Sequence, residues 1–252
     1  MTTTWRNWMK LAVLAALVPT LIVTTSSVAQ AATKPLPARS SVTTSTPVSQ
    51  ADAADYSSIF AGDHADLADS GWATCPAPIE WTVDTRGLTA NEKAAQVANI
   101  TAAFATWSQA SGLAFTYGGE EDVTYDDDAF TVTPANGQAI ESRHIYLDFL
   151  LPTESARLTD GTVGLGSPSQ VMPQTKEIVD GEAVFRAAHV RTATAKELRN
   201  LYLHEIGHVL GLAHAQSKLN IMYPLVSDHV QLGAGDVRGV QSMTKPCTET
   251  DD

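Results

Sequence analysis

Three histidines and a glutamate stand at a spacing that can hold and use a metal ion. They are His204, Glu205, His208 and His214, within Leu201-Tyr202-Leu203-His204-Glu205-Ile206-Gly207-His208-Val209-Leu210-Gly211-Leu212-Ala213-His214. On a helix, residues four apart share a face, so His204 and His208 present two imidazoles to one ion. Glu205 is displaced around the helix. That removes it as a third ligand and places it to take a proton from a water that the metal activates. Gly211 falls where the helix must end: with no Cβ it can adopt the left-handed conformation and turn the chain sharply. The turn brings His214 back to the same ion. Three neutral histidines leave one position of a tetrahedral zinc open, whereas a structural site fills all four. The alternative is an ordinary helix with unrelated histidines. At average composition, these five fixed residues should arise by chance in on the order of one chain in 10⁵.

The elements that must position these side chains are legible around them. Thr194 and Glu197 form a capping box that opens the histidine helix. Upstream, Ile79-Glu80-Trp81-Thr82-Val83 alternates as a first strand. Thr89-Ala90-Asn91-Glu92 opens a long helix whose Val97, Ile100, Phe104 and Trp107 recur at helical spacing, with Gly112 as its stop. These aromatic residues read as core. Leu113, Phe115 and Tyr117 mark a second strand, and Ile145, Leu147 and Phe149 a third, with Tyr146 and Asp148 on its other face. The acidic stretch between them, 118–138, reads as a solvated loop without the ligand spacing of known calcium loops. The glycines and Pro168 of residues 160–168 suit an irregular edge strand able to pair with an extended peptide. Residues 182–187 predict a further strand before the histidine helix.

The N-terminal 31 residues read as a secretory signal: Arg6 and Lys10, a short apolar run from Leu11 to Val23, and Ala29-Gln30-Ala31 as a small-x-small cleavage pattern. Thirteen residues are too few to span a bilayer, where about 20 are needed. No stable membrane insertion is expected, and the protein is read as secreted and extracellular. Residues 32–70 read as a propeptide or flexible linker. The first part, to about residue 54, is rich in Thr, Ser, Pro and Ala without periodicity. Residues 71–252, about 180 in all, suffice for one catalytic domain with a real core.

The chain carries 16 Lys and Arg against 28 Asp and Glu, a net charge of −12. The signal contains two of the bases and none of the acids, so its removal leaves −14. So acidic a chain repels phosphates, which excludes a nucleic-acid partner. Cys75 and Cys247 flank the catalytic domain. In an exported protein an even pair forms a disulfide, and closing so long a loop contributes up to about 5 kcal/mol on the chain-entropy account. The other reading of Cys75 is a thiolate capping the zinc. His64, His144, His189 and His229 have no ligand spacing and read as surface or packing residues.

The histidine motif, followed by Asn220-Ile221-Met222-Tyr223-Pro224, resembles the metzincin signature with its Met-turn. Within that group the chain resembles matrixins from about Cys75 to Met243. Three features carry this: the eight-residue interval from His214 to Met222, the sequence Met222-Tyr223-Pro224, and Asp236-Val237-Arg238-Gly239-Val240-Gln241 in a last helix. The resemblance implies a zinc metalloendopeptidase with a two-subdomain α+β fold. That fold has a mixed twisted sheet, a long backing helix, an active-site helix and a cleft with zinc at its floor. It implies one catalytic Zn²⁺ held by His204, His208 and His214, Glu205 as general base, and Met222 as an apolar base beneath the histidines. The edge strand near Gly164 to Ser167 would hold a protein or peptide substrate in extended form, and a monomer is expected. Asp160-Gly161 resembles the start of the matrixin calcium loop, which leaves room for a Ca²⁺ whose ligands are unassigned.

Departures from the matrixin pattern matter too. Ala215 follows the third histidine where matrixins carry Ser, Leu165 stands where a structural-zinc histidine is expected, and Val226 replaces a tyrosine that often lines the S1′ pocket. No matrixin cysteine-switch prosegment is visible. Phe60-Ala61-Gly62-Asp63 instead resembles the F-x-G-D prosegment motif of astacins, which would make Asp63 a latency ligand on the metal. Two alternatives stay open: an astacin-like protease, and an exported zinc-binding or adhesion module without useful turnover. The intact Glu205 speaks against the second, since zinc binding alone does not need it.

Overall fold

The computed structural model describes residues 54–62, 64–159 and 161–247. The signal reading at 1–31, the leader up to residue 53, and Asp63 and Asp160 lie outside the described residues.

A five-stranded sheet organises the domain. Its strands are β1 (Ile79–Asp84), β2 (Phe115–Glu120), β5 (His144–Leu150), β6 (Gly164–Met172) and β7 (Glu177–Arg186), in the order β2-β1-β5-β7-β6. The first four in that order are parallel to their neighbours, and β6 closes one edge antiparallel to β7. One face is covered by α1 (Ala90–Ser111) and α2 (Ala195–Val209), and α3 (Ala234–Met243) completes the helices around the core. This is the mixed-sheet α+β architecture.

Helix α1 starts as its capping residues predict, with the Glu92 carboxylate accepting the Thr89 N–H at 2.7 Å, and ends at a left-handed Gly112. Its buried stripe of Gln96, Ile100, Ala103, Phe104 and Trp107 faces α2 and the sheet. The Trp107 indole donates to the Leu203 carbonyl at 2.9 Å, and the Tyr202 hydroxyl donates to Gln96 at 2.7 Å. Each bond satisfies a polar atom buried between the two helices, so the crossing is fixed in register as well as packed. Trp72 does the same at the end of α2, donating to the Val209 carbonyl that the helix leaves without a partner.

The acidic stretch read as a solvated loop is instead an antiparallel hairpin, β3 (Val123–Asp126) with β4 (Thr131–Pro134). Val123, Phe130 and Val132 are buried against Tyr146, Leu150, Leu158 and Val184 in a second apolar cluster. Each strand is only four residues long, and the surrounding carboxylates masked the alternation. One of those acids is structural, Asp127, which accepts from Ser155 and Ala156, and the buried Glu182 of β7 accepts the Val132 N–H at 2.7 Å. With helices on one face and the hairpin on the other, all seven residues of β5 are buried.

Cys75 and Cys247 are disulfide-bonded, with Cα atoms 5.5 Å apart, which removes Cys75 as a thiolate cap on the metal. The bond ties the entry of β1 to the segment after α3.

The described part of the leader is not a loose tether. Phe60 is fully buried and Leu67 nearly so, both within the main core, and Gly71 pairs with Glu177 at the start of β7. Chain contacts therefore begin well before residue 71.

A pair of buried acids sits where β1 and β5 run side by side. Asp84 and Asp148 are register partners, 1 % and 5 % exposed. Arg86 donates to Asp84 from Nε at 2.6 Å. Burial, then the charges of Asp84 and Glu154, push the Asp148 carboxyl up to about 8. An unfolded Asp titrates near 3.9, so between roughly pH 4 and 8 the folded chain binds more protons than the unfolded one, and stability falls as pH rises through that window. Asp148→Asn should therefore match the wild type near pH 4 and exceed it by about 2 kcal/mol or more above pH 8. Urea unfolding at both pH values checks this, and a pH-independent difference would refute it.

Candidate metal and catalytic site

Helix α2 opens with Thr194, whose hydroxyl accepts the Glu197 N–H while the Glu197 carboxylate accepts the Thr194 N–H. It closes at Leu210, and Gly211 turns the chain with φ 102°. The turn carries His214 back to the helix, as its position after the glycine predicts. His204, His208 and His214 each offer a ring nitrogen, and these three atoms lie within 4.8 Å of one another. The Nε2 atoms of His204 and His208 are 3.1 Å apart. Two nitrogens each ~2.0–2.1 Å from one tetrahedral zinc stand about 3.3 Å apart, so the pair fits that ion. Among the described residues, no other group of three or more histidine, cysteine or acidic side chains gathers within reach of one ion.

The outer nitrogens are already engaged. His204 Nδ1 lies 2.8 Å from the Ile221 carbonyl and His208 Nδ1 lies 2.7 Å from the Leu212 carbonyl. A carbonyl accepts only, so each Nδ1 carries the proton and each Nε2 is left free to bind a metal. Burial lowers the pKa of all three: His204 to about 4, His208 well below its usual value, and His214 downward. Burial thus disfavours the charged imidazolium and leaves the neutral form that a metal needs.

Glu205 is 5 % exposed, and burial raises its carboxyl to about 8. Its side chain meets the sheet at β6. A Cβ on Gly164 would come within 2.7 Å of Glu205 Oε1, and one on Gly166 within 2.3 Å of its carbonyl oxygen. The glycines read from sequence as marks of an irregular edge are what let that edge lie directly on the histidine helix.

Beneath the histidines lies Met222, 2 % exposed. A Cβ on Gly207, between the two helix histidines, would come within 2.3 Å of the Met222 sulfur and 3.0 Å of the Trp107 ring. Gly207 is the notch that admits the methionine. Asp236 of α3, fully buried, holds the turn: it accepts the N–H groups of Ile221 at 2.6 Å, Met222 at 3.1 Å and Gly233 at 2.7 Å. Burial raises its pKa against those hydrogen bonds. Sequence reading placed Asp236 only as a helix residue. An acid three residues after a helix-opening Gly233 was the available signal, but nothing local said that it also reached back to Met222.

Other positions singled out from sequence are accounted for individually. Leu165 packs against the hairpin cluster, a hydrophobic role where a metal histidine was looked for. Lys218 lies 5.7 Å above the Tyr223 ring, and Val226 is exposed. His144 is buried, stacked on Tyr146 and hydrogen-bonded to Thr82, and is thus a packing residue.

The family model for matrixins matches residues 72–244. The chain belongs to the matrixin family. The match covers the sheet, the histidine helix, the Met222 turn and α3, so the zinc that this family implies has a place among residues able to hold it. Over 56 residues the chain is 45 % identical to Metalloendoproteinase 4-MMP of Arabidopsis thaliana, covering 21 % of this chain and 16 % of that protein. It is 36 % identical over 69 residues to Metalloendoproteinase 5-MMP of the same plant, covering 26 % and 19 %. The aligned part therefore spans less than a fifth of either relative's length.

Proposed function

We propose that this matrixin is a secreted zinc-dependent endopeptidase, with His204, His208 and His214 as metal ligands and Glu205 as the proton carrier. The observation that carries the reading is the convergence of three imidazole nitrogens within 4.8 Å of one another, on a helix and turn that also bury the Glu205 carboxylate. Zinc, when bound, supplies a Lewis acid that lowers the pKa of water and polarises a peptide carbonyl. A cation among the histidines also draws the Glu205 carboxyl back toward its ionised form, ready to accept a proton. Glu205 takes the proton of the attacking water and delivers it to the leaving nitrogen.

The substrate is a peptide in extended form. Strand β6 has β7 on one side and, among the described residues, no strand on the other, and its glycines bring that edge beside Glu205. A peptide laid along it would gain main-chain hydrogen bonds that hold one scissile bond over the site. Met222 supplies a fixed apolar floor. The acidic charge argues against nucleic acid, and no helix among the described residues is long and apolar enough to cross a membrane. We read the protein as a monomer acting outside the cell.

The test is hydrolysis of a denatured protein with and without a metal chelator. Cleavage should stop with the chelator and return when zinc, but not magnesium, is restored. Cleavage that persists in the metal-free protein would sink the proposal.

A further inference from the structure

The stretch just before residue 62 is built into the far side of the candidate metal site. Ser58 pairs antiparallel with Leu212: the Ile59 N–H donates to the Gly211 carbonyl and the Ala213 N–H to the Ser57 carbonyl, each at 2.8 Å. Those bonds fix the segment whose Leu212 carbonyl orients His208 and which leads straight into His214. The Asp55 carboxylate does the same for the next loop. It accepts the Gln216 N–H at 2.8 Å, the Ser217 N–H at 2.7 Å and the Asn220 amide at 2.9 Å. Asn220 precedes Ile221, whose carbonyl orients His204.

The fit extends to α3. Gly235 and Gly239 lie four apart on one face of that helix. A Cβ at Gly235 would come within 2.3 Å of the Asp55 carbonyl oxygen, and one at Gly239 within 2.9 Å of the Tyr56 side chain. The two glycines form a groove that the strap fills, and Phe60 anchors its other end in the core.

We propose that Asp55–Phe60 is a permanent brace of the metal site: its backbone at Ser57 and Ile59 holds the segment whose Leu212 carbonyl orients His208, and Asp55 is a positioning residue for the Ile221 carbonyl that orients His204. Processing then cuts before Asp55 rather than near residue 70, because a cut near residue 70 would take the brace away with the leader. The proposal rests on the reading of the three histidines as zinc ligands. It is tested by zinc retention, which is independent of peptide cleavage.

The experiment uses the full chain as wild type, Asp55→Ala, Asp55→Asn and, as a control in the same leader, the exposed Asp66→Ala. Zinc affinity is measured by competition with a chromophoric chelator, and the N-terminus of the naturally processed, zinc-loaded protein is read by mass spectrometry. Outer partners of metal ligands typically change affinity 10–100-fold, and Asp55 acts one step further out, so Asp55→Ala should weaken zinc about tenfold. Asp55→Asn, which keeps one acceptor oxygen, should weaken it less, and Asp66→Ala should not change it. The processed protein should begin at or before Asp55. Asp55 variants that melt earlier but hold zinc as the wild type does would reduce the strap to ordinary packing and overturn the proposal. A zinc-loaded processed form beginning after Phe60 would overturn it whether or not the variants fold. A wild type that binds zinc but cleaves nothing would overturn the peptidase reading and leave the brace standing.

Discussion

Glu205→Ala should leave the protein folded and able to hold one zinc while lowering turnover of a denatured protein by roughly 10²–10⁴-fold, the usual worth of a positioned general base. The expectation rests on a separation of tasks within one helix turn. The three ring nitrogens that gather within 4.8 Å belong to His204, His208 and His214, and Glu205 contributes nothing to that group. Its carboxyl is buried with its pKa raised, so it costs the fold desolvation energy, and its removal should not lower the melting temperature. Three readouts on one sample decide the matter: zinc content, thermal unfolding, and kcat on an extended peptide. Glu205→Gln preserves the contact with Gly164 and should be as inactive as the alanine variant, because an amide cannot accept the proton. A variant that cleaves as well as wild type would remove Glu205 from the mechanism. One that loses zinc together with activity would show a structural effect instead.

The second large effect lies away from the chemistry. Asp236→Ala should cost about 3–5 kcal/mol of stability, and zinc affinity should fall about 10–100-fold with it. Its carboxylate is fully buried and accepts three backbone N–H groups, two of them in the turn that carries Met222. Without it, those donors are buried and unsatisfied, each at the cost of its desolvation. The Ile221 peptide is then free to tilt, and with it the carbonyl that fixes the His204 ring. Urea unfolding with and without zinc separates the two consequences. If stability drops while zinc affinity holds, the turn is not what orients His204. Asp236→Asn should fall between alanine and wild type, because an amide keeps one acceptor oxygen for a donor of the turn.

The metal-site reading and its neighbouring elements were available from residue order because they depend on local geometry. The four-residue step from His204 to His208, the Thr194 and Glu197 cap, and the glycine turn at Gly211 are all properties of one helix and its end. They would look the same in any fold that buried that helix. The stripe of α1 was legible for the same reason, since its period reflects which face is buried, and β1 and β5 were legible from their alternating apolar residues although nearly every residue of both is buried.

What sequence could not determine is set by contacts between distant parts of the chain. The hairpin β3–β4 was lost among acids because its burial comes from other elements, β5 and β7, and not from its own alternation. The reach of Asp236 to Met222 and of Asp55 to Ser217 spans elements that only packing brings together. No local pattern distinguishes an acid that solvates a surface from one that collects backbone N–H groups in the interior. The leader shows the same limit. Residues 55–70 mix apolar and acidic side chains and read as a propeptide or linker, yet Phe60 lies wholly in the core, and the groove that receives Asp55 and Tyr56 is formed by glycines 235 and 239 at the far end of the chain. Sequence by itself determined which residues could perform the chemistry. Tertiary structure decided which residues hold them still, because that support is made of hydrogen bonds and close contacts between segments at opposite ends of the described chain.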